Sequence, residues 1–119
     1  MSYVDGYVLP LPKKNLKVYR NMARQAGKIW RQHGALDYKE CIGDDLAIKG
    51  MMPFGRTVKA KKGETVVFAF VVFKSRSHRD KVNAKVMKDP RIQKMCEGME
   101  MPFNPERMAY GGFKVMVDA

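Results

Sequence analysis

The chain has 119 residues, of which 45% are hydrophobic and 29% charged, and it carries a formal net charge of +11. That length supports one buried core, so residues 1–119 are expected as a single domain, and the composition is that of a globular rather than a disordered or membrane protein. No apolar run is long enough for a membrane-spanning helix, and the first residues carry Asp5 and no cationic segment ahead of an apolar one, so no secretory signal, no membrane partner and a cytoplasmic location are expected.

Taken in chain order, residues 2–11 are β-prone, and Pro10 and Pro12 are expected to stop the pairing of this first strand. Asn15 to His33 reads as a helix with Asn15 at its N-cap and Gly34 as its terminator. Tyr19, Met22, Ala26, Ile29, Trp30 and His33 fall in one arc, which suits a helix lying on a sheet. Lys17, Arg20, Arg24, Lys28 and Arg31 occupy the opposite arc with no carboxylate among them.

Leu36 to Ile42 predicts a second strand, followed by a long connection from Asp44 to Gly63. Thr65 to Phe73 is apolar at both alternations, so both faces of this third strand are expected to be buried. Ser75 or Ser77 can cap a second helix reaching Lys88, Asp89-Pro90 restarts a short one, and Gly98 ends it. A last strand is expected from Arg107 to Asp118, with Gly111-Gly112 marking a bulge or a close approach. Met52-Pro53-Phe54 and Met101-Pro102-Phe103 read as apolar turns, not as a duplication.

The order β-α-β-β-α-β is the ferredoxin-like α+β pattern, an antiparallel sheet with helices on one face. Two helices cover one face only, so the other is expected to meet a second copy of the chain in a homodimer. Alternation groups Tyr3, Asp5 and Tyr7 on one side of the first strand, and Tyr110, Lys114 and Met116 on one side of the last. Val4, Val8, Phe113, Val115 and Val117 are expected under the helices, leaving the polar set to face a cleft.

The expected function is binding or turnover of a small organic molecule in that cleft by Asp5, Tyr7, Tyr110 and Lys114, with Arg79 and Asn83 of the second helix as further candidates. The competing reading of Asp5 and Lys114 is a cross-strand ion pair. Arg79 is expected to need Asp80, Asp89 or a strand carboxylate as its partner. An alternative function is an RNA- or anion-binding module built on Lys17, Arg20, Arg24, Lys28 and Arg31, ranked lower because no aromatic strand motif accompanies them. The other alternative is an interaction subunit without catalysis.

No ligand-spaced cluster of His, Cys, Asp and Glu appears, so neither metal nor cofactor is expected, and His33 is read as structural. His78 suits a capping or solvent-facing role as well as an acid-base one. Cys41 and Cys96 lack disulfide spacing and are expected as inert thiols in or near the core.

Four stretches resemble the YbaA-like family of uncharacterised bacterial proteins: Tyr3 to Asn15, Gly63 to Phe68, Ser75 to Arg91, and Tyr110-Gly-Gly-Phe-Lys114. The resemblance spans nearly the whole chain. It implies a dimeric α+β barrel, a superfamily that includes small monooxygenases and haem-degrading enzymes, and it implies no catalytic residue.

Overall fold

The β-prone residues that open the chain form a ten-residue strand, β1 (Tyr3–Pro12), in the computed structural model, which describes residues 2–97 and 100–119. The two prolines do not stop it. Pro10 and Pro12 sit opposite Val66 and Glu64 of β3 (Glu64–Phe73). Odd-numbered positions of this segment direct their backbone toward β3, as the 2.9 Å bond from Lys13 N–H to the Gly63 carbonyl shows. The missing donors of Pro10 and Pro12 therefore point the other way, where pairing with β4 (Ala109–Lys114) has already ended at Val8, and no ladder bond is lost.

A 3-10 turn, Lys13–Asn15, leads into α1 (Leu16–Gln32). Asn15 holds the N-cap position, but its side-chain amide reaches away to the Pro102 carbonyl at 2.8 Å. Gly34 ends the helix in the left-handed region at φ +117, which lets Ala35 N–H reach the Trp30 carbonyl at 3.0 Å. Next come β2 (Asp37–Ile42) and a single helical turn, α2 (Phe54–Thr57), within the long connection.

α3 (Arg76–Lys88) begins with a reciprocal cap: Ser75 Oγ accepts from His78 N–H at 3.1 Å, and His78 Nδ1 accepts from Lys74 N–H at 3.0 Å. His78 is thus a capping residue. Asp89 caps α4 (Pro90–Cys96) by accepting from Arg91 N–H at 2.9 Å, and also accepts from His33 Nε2 at 2.7 Å, which gives His33 its structural partner. Gly98, the expected end of this helix, lies outside the described residues.

The strands pair antiparallel in the order β2-β3-β1-β4, the ferredoxin-like arrangement. The expected barrel is not formed. The sheet is open, with β2 and β4 as its two edges, because four strands cannot curve far enough to meet when closure takes about eight. β4 is also shorter than expected: Pro105–Arg107 is a 3-10 turn, and β1 begins at Tyr3, so pairing ends just past Lys114, where Val115 N–H donates to the Ser2 carbonyl at 3.0 Å. The register runs unbroken through Gly111 and Gly112, so there is no bulge. Gly112 is a close approach, where an added Cβ would lie 2.7 Å from the Tyr3 ring.

α1, α3 and α4 cover one sheet face. Tyr3, Val71 and Phe73 from the strands meet Ile29, Val82, Val86 and Ile92 from the helices, and Leu9, Leu11 and Val67 meet Tyr19 and Ala23 of α1. This reverses the expected sides. Asp5, Tyr7 and Tyr110 share the covered face, whereas Val4, Val8 and Phe113 lie on the other one with Phe68, Phe70 and Val72. The reason lies further along β1, where Leu9 and Leu11 follow the alternation of Asp5 and Tyr7 and fill the space beneath α1.

On the uncovered face Val66 is buried but Phe68 is 43% and Phe113 61% exposed, so the second face of β3 is only partly buried within one chain. The two Met-Pro-Phe turns serve opposite faces: Phe54 meets Phe68 edge-on, and Phe103 meets Tyr19. Both cysteines are exposed, not in the core, because Cys41 lies on the edge strand β2 and Cys96 is the last residue of α4. Among the described residues no helix is long and apolar enough to cross a membrane.

Candidate ligand-binding site

Asp5 is fully buried in the middle of β1, and a carboxylate there requires donors from another element. α3 supplies them. Arg79 donates to Asp5 Oδ1 at 2.8 Å, and Asn83, one helical turn on, donates to Oδ2 at 3.4 Å. The Tyr110 hydroxyl donates to Oδ2 at 3.2 Å and accepts from Arg79 at 3.1 Å. Arg79 also bonds Asp80 at 2.8 Å and lies over the Tyr3 ring, 5.0 Å from its centre. Desolvation works against the Arg79 charge, but Asp5, the Asp80 hydrogen bond and the phenols of Tyr110 and Tyr3 outweigh it, so its pKa is raised.

Five of the six candidate residues are therefore brought together: Asp5, Arg79, Asn83 and Tyr110 by hydrogen bonds, and Tyr7 by stacking on Tyr110 with ring centres 4.8 Å apart. The sixth, Lys114, is exposed at the end of β4. The expected Asp5–Lys114 pair does not form, since Asp5 takes Arg79 as its cation.

Behind this network opens a cavity of about 390 Å³ between the sheet and the helices. Its walls are largely apolar, with Leu9, Ala26, Val71 and the methionines 22, 87, 95, 101 and 108. Trp30 also lines it and is fixed by donating from Nε1 to Asn83 Oδ1 at 3.1 Å, which ties the cavity wall to the Asp5 network. Tyr7, Tyr19, Tyr38 and Glu40 bring the polar groups.

Glu40 projects from β2 between two phenols. Tyr19 donates to Oε1 at 2.5 Å and Tyr38 to Oε2 at 2.6 Å. Burial first, and then the Glu40 charge, push the Tyr19 and Tyr38 pKa values well up; burial followed by Asp5 does the same for Tyr7. All three phenols thus stay protonated near neutrality and act as donors rather than bases. Sequence reading missed Glu40 and Tyr38, although alternation along β2 sets Tyr38, Glu40 and Ile42 on one face.

The five helix-one cations are all exposed. Arg20, Arg24, Lys28 and Arg31 line a second, outer hollow of about 610 Å³ between α1 and β2; Lys17 does not.

Three solved structures share this fold at TM-scores of 0.59 to 0.62 and identities of 14% or less. SnoaB, a cofactor-independent oxygenase from Streptomyces nogalater, aligns at TM-score 0.61 with 8% identity, covering 98% of this chain and 95% of its own. A dimeric ferredoxin-like protein from an uncultured marine organism aligns at 0.62 with 9% identity, covering 99% and 98%. A nipsnap family protein of unknown function from Agrobacterium tumefaciens aligns at 0.59 with 14% identity, covering 96% and 87%. At these identities the likeness establishes the fold alone.

Sequence relationships are closer. The proteins named YbaA of Escherichia coli and of Shigella flexneri are each 39% identical over 118 residues, covering 99% of both chains. The family described as "Protein of unknown function (DUF1428)" matches residues 2–105. With the family resemblance read from the sequence thus upheld and its barrel set aside, the chain belongs to the YbaA/DUF1428 family.

Proposed function

We propose that residues 1–119 act as one domain in a homodimer, and that each copy holds a small, largely apolar organic molecule in the cavity between the sheet and the helices. The cavity carries this reading. Its volume of about 390 Å³ falls in the range of small-molecule sites, and apolar walls with a few converging polar groups are what such sites use to bind and orient a ligand. Methionine side chains adapt to irregular apolar shapes, and five of them line this space.

In this reading Tyr7 contacts the ligand, with Tyr19 and Tyr38 as further donors toward a carbonyl or phenolic oxygen. Asp5, Arg79, Asn83 and Tyr110 are positioning residues: they hold Tyr7 by stacking and Trp30 by its indole N–H. Lys114 takes no part. The homodimer rests on the uncovered apolar face, where a two-fold related copy would bury Phe68 and Phe113.

The test is a thermal-shift series with neutral aromatic and aliphatic probes on the wild type and on Ala26→Trp, which fills the cavity. Stabilisation of the wild type that Ala26→Trp loses is the expected result. A protein indifferent to every apolar probe would overturn the cavity reading.

A further inference from the structure

The outer hollow and the inner cavity share four wall residues, Tyr19, Ala23, Tyr38 and Glu40. They lie back to back, and only side chains of α1 and β2 stand between them. From this juxtaposition we infer that they form one site for an amphipathic anion: an apolar body in the inner cavity, and a carboxylate, sulfonate or phosphate among Arg20, Arg24, Lys28 and Arg31 outside. The inference rests on the cavity reading above and names the ligand class that the cavity takes.

The two compartments differ sharply in chemistry. The inner one is lined by methionines, aliphatic residues and Trp30, whereas the outer one gathers four cations against a single carboxylate, Glu40. Both oxygens of Glu40 already accept from Tyr19 and Tyr38, and its single charge leaves the four cations in excess in the hollow. None of the ion pairs among the described residues involves Arg20, Arg24, Lys28 or Arg31. Four like charges three or four residues apart on one helix repel one another, and a bound anion relieves that repulsion.

The partition is thin. Its shared wall is the Ala23 methyl and two phenol rings carried by opposite elements and joined through Glu40. A ligand that lies across it replaces phenol-to-carboxylate bonds with bonds to its own polar junction. A nucleic acid strand fits this geometry less well, because the cations frame a hollow that leads into an apolar interior rather than a groove with stacking platforms.

The experiment compares two fluorescent probes with the same rings, neutral phenylnaphthylamine and anionic anilinonaphthalene sulfonate. Each is titrated into the wild type, an Arg20→Gln/Arg24→Gln double variant and Ala26→Trp, with Met22→Trp in reserve should Ala26→Trp not fold. The sulfonate is expected to bind the wild type about tenfold tighter than the neutral probe, an advantage of the size of one charge-assisted hydrogen bond. The double variant should erase that advantage and leave the neutral probe unchanged, while the cavity-filling variant should weaken both.

Equal affinity for the two probes in the wild type, or an advantage that survives the double variant, overturns the inference and leaves the cavity reading standing. If neither probe binds, the cavity reading falls and the inference with it. Single-stranded RNA that displaces the sulfonate but not the neutral probe would assign the cations to nucleic acid and likewise overturn the inference.

Discussion

The Asp5–Arg79 pair is costly to break. Asp5 has no exposed surface, so removing its cation strands a charge in the interior, a change that typically destabilises by about 3–5 kcal/mol. Arg79→Ala should lower the unfolding free energy by roughly 3 kcal/mol in urea, and Asp5→Asn, which keeps a hydrogen-bonding group in place, by less. Equal small losses for both would show that the pair is not what holds α3 to β1. A second carboxylate, Glu64, contributes to the acid side, as Asp89 does. Bidentate hydrogen bonds from Arg107 at 2.7 and 2.8 Å bring its pKa down from 4.5 to about 2. The folded state then binds this proton more weakly than the unfolded chain, so the contribution is complete above about pH 4.5 and disappears as pH falls toward about 2. Glu64→Gln should flatten the stability profile through that window. An acid limb unchanged by the substitution would rule the pair out as its cause.

At the scale of elements, α1 borders both hollows because it lies close on β2, and Gly27 sets that distance. A Cβ added there would lie 2.8 and 2.9 Å from two carbons of the Tyr38 ring, whose hydroxyl is fixed to Glu40 at 2.6 Å. Replacing a mid-helix glycine by alanine ordinarily gains about 1 kcal/mol, whereas forcing an extra carbon into a filled contact costs about 1–3 kcal/mol. The ring cannot swing aside without giving up its bond to Glu40, so overpacking should win. Gly27→Ala is expected to destabilise by about 1 kcal/mol in urea unfolding, and a stabilised variant would show that Tyr38 moves freely. Helix ends were legible from local sequence, since Gly34, Ser75 and Asp89 do at close range what their residue types allow. Asn15 shows the limit of that reading, because Pro102, distant in sequence, competes for its side chain.

For the whole molecule, the open sheet leaves Val4, Val8, Phe68, Phe70, Val72 and Phe113 on a face that α1, α3 and α4 do not cover and that the α2 turn touches at Phe68. A homodimer across this face should dissociate when Phe68 and Phe113 are both replaced by aspartate, halving the mass measured by light scattering while the circular dichroism of the chain is retained. A wild-type protein that is monomeric at micromolar concentration would remove the dimer from the proposal. The cavity is a separate matter, since its walls belong to the opposite, covered face.

The sequence by itself determined the order of elements, the antiparallel ferredoxin-like plan and the division of each strand into two faces, because these follow from backbone periodicity, turn chemistry and caps acting over a few residues. It also placed the cations of α1 in one arc. Which face the helices would take was decided only in three dimensions: alternation puts Val4 and Asp5 on opposite sides but is blind to Arg79 and Asn83, which settle Asp5 beneath α3 from more than seventy residues away. The meeting of Glu40 with Tyr19 and Tyr38 was equally out of reach, since it depends on how close α1 lies to β2. Closure was a tertiary matter as well, and four strands leave this sheet open.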